Sequence, residues 1–280
     1  MRRMSSRYIA GETLESALER LSGLAARGFG GILDVLGEHV EDEAAAREVV
    51  RTYGEAADAV ADRKLDCYVS VKPTHVGLKI SEELCLRNYA ELAERCAARR
   101  LFLRVEMEDS PTTDGTLRVF ERLRERYDNV GIVLQARMLR TPADVDALAP
   151  GPLDVRLVKG IYLEPAEIAH VDAEPIRDAY VAIATKLFAR GARVALATHD
   201  EALAARCLLE IRQKRIPRER YEFQLLLGVR EVLAERWRAS GHPVRIYVPY
   251  GPDWRAYSTR RLKHNPEILS AVMKAAISRR

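Results

Sequence analysis

The 280-residue chain contains only four cysteines, and Cys67, Cys85, Cys96 and Cys207 show neither a CxxC pair nor any other metal-ligand spacing. They read as free thiols of a reducing compartment, not as a disulfide frame. No apolar run approaches the ~20 residues that a membrane span requires, and the first residues lack a signal-peptide core, so a cytoplasmic protein is expected. Ser/Gly tracts, Pro-rich runs and low-complexity blocks are missing too, and residues 1–280 are expected to form one domain. Charge of one sign is hardly in excess: 45 Lys and Arg face 41 Asp and Glu, a formal net charge of +4. That balance excludes a nucleic-acid binder by charge and mildly favours small anionic molecules. The one basic run, Arg212-Gln213-Lys214-Arg215 with Arg218, lacks interleaved aromatics for stacking on bases and reads as the solvated end of a helix.

Several catalytic signatures are missing as well. Gly37-Glu38-His39 is not GxGxxG, which argues against a doubly wound dinucleotide fold. No GxSxG elbow is present, and His75, His170, His199 and His264 form neither HxH nor HExxH, so no catalytic metal is expected. The Glu106/Glu108/Asp109 cluster has no evident partner histidine.

What the chain does have is alternation. A helix over 13–27, with Thr13 as its cap and Gly28 as its stop, precedes a short apolar run at 31–36 of the kind a strand buried on both faces shows. Strands follow at 67–71, 101–105, 131–134, 155–158, 194–197, 221–226 and 244–248. Helices lie between them at 41–62, 81–99, 113–127, 142–148, 174–190, 200–214 and 231–239, and another opens at 253–263. Eight strands, each followed by a helix, plus one extra helix in front, fit a parallel (βα)8 barrel at this length.

Polar residues recur at the C-terminal ends of these strands: Lys72, Glu106, Gln135, Arg156 with Lys159, Thr198 with His199, Gln224 and Tyr247. In a closed barrel those ends converge on one mouth. Downstream, Tyr257, Arg260, Arg261 and His264 share one helix face at i, i+3, i+4, i+7 spacing, and two adjacent guanidiniums suit bidentate capture of a carboxylate. Many donors and few metal ligands at one mouth suit a polyanionic cofactor plus a small acid.

Ordered motifs carry a resemblance. The Lys72 strand, Glu108-Asp109-Ser110-Pro111, Val133-Leu134-Gln135-Ala136, Arg156-Leu157-Val158-Lys159-Gly160-x-Tyr162, Ala197-Thr198-His199, Tyr221-Glu222-Phe223-Gln224, Tyr247-Val248-Pro249-Tyr250-Gly251 and Tyr257-x-x-Arg260-Arg261 resemble those of the flavin-dependent proline dehydrogenases, small bacterial type. The resemblance covers about residues 7–266 and implies a distorted (βα)8 barrel with its last helix over the mouth. It implies FAD and hydride transfer from proline to the flavin N5, giving pyrroline-5-carboxylate, with a quinone as electron acceptor. By the same resemblance Lys72, Arg260 and Arg261 clamp the substrate carboxylate, while Tyr247 and Tyr257 shape the pocket around its ring. Gln135, Arg156, Lys159, Gly160, Thr198, His199 and Gln224 hold the flavin, with Arg156 near its reactive edge, Met107 packed against it and Tyr162 beside it.

Departures from that pattern cluster in the pocket. His264 stands where the family has a glutamate, Glu106 where it has an aspartate, and Ile161 where it has a small alanine; Pro73 replaces a leucine, and His75 a glutamine-like residue. They raise the alternatives of a related cyclic or N-substituted amino acid as substrate, or of a barrel that binds a ligand without turnover. The ending 274–280, with Met273 and Ile277, is the segment suited to peripheral contact with an anionic membrane. The sequence fixes no oligomeric state.

Overall fold

The computed structural model describes residues 8–252 and Trp254. The expected final helix and the basic ending lie outside the described residues, and with them Tyr257, Arg260, Arg261 and His264.

Helix α1 (Leu14–Ala26) starts where the Thr13 side chain accepts a hydrogen bond from the Ser16 N–H, and it buries Ala17, Leu18, Leu21 and Leu24 along one stripe. Eight strands follow: β1 (Gly30–Val35), β2 (Cys67–Val71), β3 (Leu103–Val105), β4 (Val130–Gln135), β5 (Asp154–Val158), β6 (Arg193–Ala197), β7 (Tyr221–Leu226) and β8 (Val244–Tyr250). Each pairs in parallel with the next and β8 with β1, closing the barrel. The connecting helices are α2 (Glu43–Asp62), α3 (Glu82–Ala98), α4 (Ser110–Arg124), α5 (Thr141–Ala147), α6 (Ala173–Ala189), α7 (Glu201–Gln213) and α8 (Glu231–Ala239). Ser81 caps α3 through Leu84 N, and Asp200 caps α7 through Leu203 N.

The larger differences from the sequence expectation are in α2, which begins two residues later at Glu43, in β8, which runs two residues further to Tyr250, and in α4 and β3. Helix α4 begins three residues early because Pro111 falls in its first turn, where a missing N–H has no partner to lose. Strand β3 is two residues shorter at its start, because Leu101 N bonds Cys96 O and closes the end of α3 instead. Residues 8–12, ahead of α1, pack at the mouth end of the barrel. Tyr8 and Ile9 join Leu36, Leu226, Val229 and Trp254 in a small apolar cluster, Ala10 N bonds Pro249 O, and the Trp254 indole donates to Glu12.

The barrel interior is ionic, where such barrels are ordinarily filled with branched aliphatics. At its N-terminal end, here the floor, Arg104 is fully buried and donates to Asp154 Oδ1 at 2.6 Å. Arg193 bridges Asp154 (3.0 Å) and Glu222 (2.6 Å), and Arg245 bridges Glu222 (3.4 Å) and Asp66 (2.9 Å). Glycine makes the room: a Cβ on Gly131 would stand 2.5 Å from Arg104 Nη1 and 2.6 Å from the Asp154 carbonyl oxygen.

Candidate active site

One layer above the floor, Arg156 is held from β2, from β7 and from the residue just past the end of β3. Its Nη1 donates to Glu106 Oε1 (2.5 Å), its Nη2 to Ser70 Oγ (3.1 Å) and its Nε to Gln224 Oε1 (2.8 Å). Glu106 is the hub of this layer, also accepting from the Ser70 hydroxyl (2.5 Å) and the Tyr247 hydroxyl (3.2 Å). The Arg156 guanidinium lies 5.1 Å from the Tyr247 ring centroid. Burial opposes the charge on each partner of this pair, and the opposite charge overcomes it: Glu106 is held below the usual carboxylate range chiefly by Arg156, and Arg156 above its ordinary value chiefly by Glu106. Arg156, Gln224 and Tyr247 thus sit inside their strands, under the mouth, not at the strand ends where the sequence had placed them.

At the rim, Lys72 follows β2 and donates to both oxygens of the buried Asp34, at 3.0 and 3.2 Å. Burial would discharge this ammonium, but Asp34 and Glu106 outweigh it and raise its pKa. Burial lifts the Asp34 carboxyl above its ordinary value, only partly countered by Lys72, and the Tyr53 hydroxyl donates to it at 3.2 Å.

Across the mouth, Lys159 Nζ meets Asp200 at 3.2 Å, and Arg177 Nε meets the same oxygen at 2.7 Å. The Thr198 hydroxyl accepts from Asp200 N, and His199 Nε2 accepts from Leu226 N at 2.9 Å, so the neutral imidazole carries its proton on Nδ1. Gln135 ends β4; its Nε2 donates to the Glu108 carbonyl oxygen at 2.7 Å, while its Oε1 is buried without a partner among the described residues. Gly160, at φ +104°, stands beside it, and a Cβ there would lie 3.0 Å from that Oε1 and 2.6 Å from Arg137 Cδ. Met107 is buried in the main core, Ile161 is exposed, and Arg137 Nη1 holds the Tyr162 carbonyl oxygen at 2.5 Å.

Sequence reasoning missed Asp34, Ser70 and Glu222. Asp34 was a single acid in an apolar run, and that oddity was the available signal, since an ionised group in a buried strand needs a partner. His39 lies near Glu108 without a hydrogen bond to it: ligand atoms of Glu38, His39 and Glu108 lie within 4.8 Å of one another, and the ring faces Glu38 at 3.8 Å. Glu108 itself is engaged by Thr74 N and Oγ1, and burial raises its pKa to about 7 against those bonds.

The proline dehydrogenase family model matches residues 17–274. The chain is 30% identical over 273 residues to proline dehydrogenase 1 of Bacillus subtilis strain 168, covering 98% of this chain and 90% of the relative. It is 31% identical over 279 residues to the proline dehydrogenase of Deinococcus radiodurans, with the same coverage. Among solved structures it is similar to proline utilization A of Bdellovibrio bacteriovorus inactivated by N-propargylglycine, with a TM-score of 0.87 at 25% identity. That match covers 92% of this chain and 32% of the other, so the chain spans about a third of that larger protein's length.

Proposed function

The chain belongs to the proline dehydrogenase family, and we propose that it is an FAD-dependent oxidoreductase acting on the CH–NH group of L-proline, with pyrroline-5-carboxylate as product. The observation that carries the reading is a mouth with one buried, fixed guanidinium, Arg156, and one buried, orphaned acceptor, Gln135 Oε1, beside a glycine that leaves space. The donor set fits the cofactor. An unfilled acceptor asks for an N–H from a ligand, and the flavin ring carries one; Lys159 supplies a cation for its anionic tail. When bound, FAD supplies the two-electron acceptor for the C–H bond beside the ring nitrogen.

The protein's own part is orientation and electrostatics. Arg156, held in place by Glu106, would offer a fixed positive charge to the bound cofactor and substrate. Gly160, Thr198 and His199 form the rest of the cofactor wall, with Met107, Ile161 and Tyr162 around it. Lys72 joins Arg260 and Arg261 as the proposed carboxylate clamp, and Tyr247 and Tyr257 shape the ring pocket with His264. Because Lys72 is already bonded to Asp34, it orients a carboxylate and leaves most of the neutralisation to the arginine doublet. A quinone or another electron acceptor is proposed as second substrate. No helix among the described residues is long and apolar enough to cross a membrane, and a cytoplasmic enzyme with peripheral membrane contact through residues 274–280 is proposed.

A second reading, a different cyclic or N-substituted amino acid, is favoured by Glu106, whose longer side chain reaches Arg156, Ser70 and Tyr247 together. Steady-state assays of a panel of such acids with an artificial acceptor, trapping the imine product, decide between the two. The first reading expects proline to give the highest kcat/KM, and a better substrate elsewhere in the panel would replace it.

A further inference from the structure

Gln224 links the two charged layers of the barrel. It is 3% exposed, and its amide is engaged on every side: Nε2 donates to the Tyr68 hydroxyl (2.8 Å) and to Glu222 Oε1, while Oε1 accepts from Arg156 Nε. A neutral amide is a reversible connector. Turned over, it would set its NH2 against the Arg156 N–H, donor against donor at hydrogen-bond distance, and the guanidinium would have to move. What prevents the turn is Glu222, which as a carboxylate only accepts.

Its ionisation is secured from below. Burial alone would raise the Glu222 pKa, but the guanidiniums of Arg245 and Arg193 overcome it and hold it at about 2. The floor therefore determines the charge of Glu222, Glu222 the sense of the Gln224 amide, and that amide the seat of Arg156.

We propose that Glu222 and Gln224 are positioning residues for Arg156, fixing through one amide orientation where its charge stands beneath the mouth. The proposal rests on the flavin reading of that mouth. It places Gln224 at the cofactor through Arg156, with both amide hydrogens committed inside the barrel. Neither Glu222 nor the floor touches substrate.

The test uses the full-length, flavin-loaded protein. In Glu222→Gln the new amide either offers N–H to Gln224 or turns N–H toward Arg193 and Arg245, so one contact becomes repulsive in each rotamer. The rate of anaerobic flavin reduction by proline is expected to fall about tenfold, the half-saturating proline concentration to change less than about threefold, and the flavin midpoint potential to fall. Tyr68→Phe removes one of the two acceptors of the Gln224 N–H groups, together with the hydroxyl's own contact with Arg156, and is expected to act in the same direction, about threefold. Asp66→Asn releases only the exposed outer end of Arg245 and leaves both guanidiniums on Glu222; it is expected to lower thermal stability slightly and leave rate and potential unchanged.

A folded Glu222→Gln protein with wild-type rate and potential overturns the proposal, as does an Asp66→Asn protein slowed as much as Glu222→Gln. If Glu222→Gln does not fold, an unchanged rate and potential in Tyr68→Phe overturn it. Should proline fail to bleach the wild type, the substrate reading falls, and the midpoint potentials of the variants still decide this one.

Discussion

The floor and the mouth of this barrel are both ionic, yet only one of them is complete. On the floor, Asp154 and Glu222 are each shared by two guanidiniums, and Arg245 reaches out to Asp66. Its one orphaned nitrogen, Arg104 Nε, belongs to a guanidinium 5.5 and 4.7 Å from the Tyr68 and Phe102 ring centroids. At the mouth the ion pairs Lys72–Asp34, Arg156–Glu106 and Lys159–Asp200 are likewise formed. There, however, Gln135 Oε1, Arg137 Nε and His75 Nδ1 are buried without partners among the described residues. Buried polar atoms are ordinarily paired; the αβ connections at the floor end also hold orphans, Arg99 Nε, Asn129 Oδ1 and Arg190 Nη1, whereas at the mouth the orphaned acceptor Gln135 Oε1 stands beside Gly160, whose missing Cβ leaves room for a ligand. Charge alone does not distinguish a site from a scaffold; an unmet acceptor beside room for a ligand does.

The largest effect should come from breaking the floor. Asp154→Leu leaves the fully buried Arg104 without its anion and is expected to cost about 3–5 kcal/mol in urea unfolding, while the folded fraction binds flavin as before. A loss of flavin affinity out of proportion to the loss of folded protein would erase the distinction between the two regions.

Breaking the mouth should do the reverse. Arg156→Lys keeps the charge but replaces a fork bonded to Gln224, Glu106 and Ser70 with a single point, and kcat is expected to fall about a hundredfold with little change in thermal stability. Stopped-flow reduction and a melting curve on the same preparation check both halves.

Gly160→Ala forces a side chain onto a backbone at φ +104°, within 2.6 Å of Arg137 Cδ. Strain of about 1–3 kcal/mol should appear as a flavin dissociation constant raised about tenfold, measured by titrating the apoprotein.

The smallest effect concerns pH. Burial, then the nearby Lys72 charge, lowers the His75 pKa from 6.5 to about 3. A depressed folded-state pKa gives stability that is full above the unfolded value and is lost as pH falls toward the folded one. From about pH 7.5 to about pH 5.5 the loss should be about 1.4 kcal/mol. In His75→Gln that slope should flatten, and an unchanged slope would assign the acid sensitivity to other groups.

Most of the barrel was legible because its signals are local. Strands β2 and β7 fall where the sequence expectation put them, and Thr13 announced its helix as a cap. The mouth was legible as a set of polar residues after successive strands. The floor was not: Arg104, Asp154, Arg193, Glu222 and Arg245 each look like an outward-facing charge on one strand, and only register across several strands brings them together. The same reason hid Asp34 and Ser70, whose partners lie 38 and 86 residues away. The arginine doublet, the most conspicuous feature of the sequence, lies outside the described residues.

The most direct test is anaerobic mixing of the purified, flavin-loaded protein with L-proline while following the oxidised flavin band. The account predicts rapid bleaching with release of the cyclic imine. A yellow protein whose band proline leaves unchanged would contradict it.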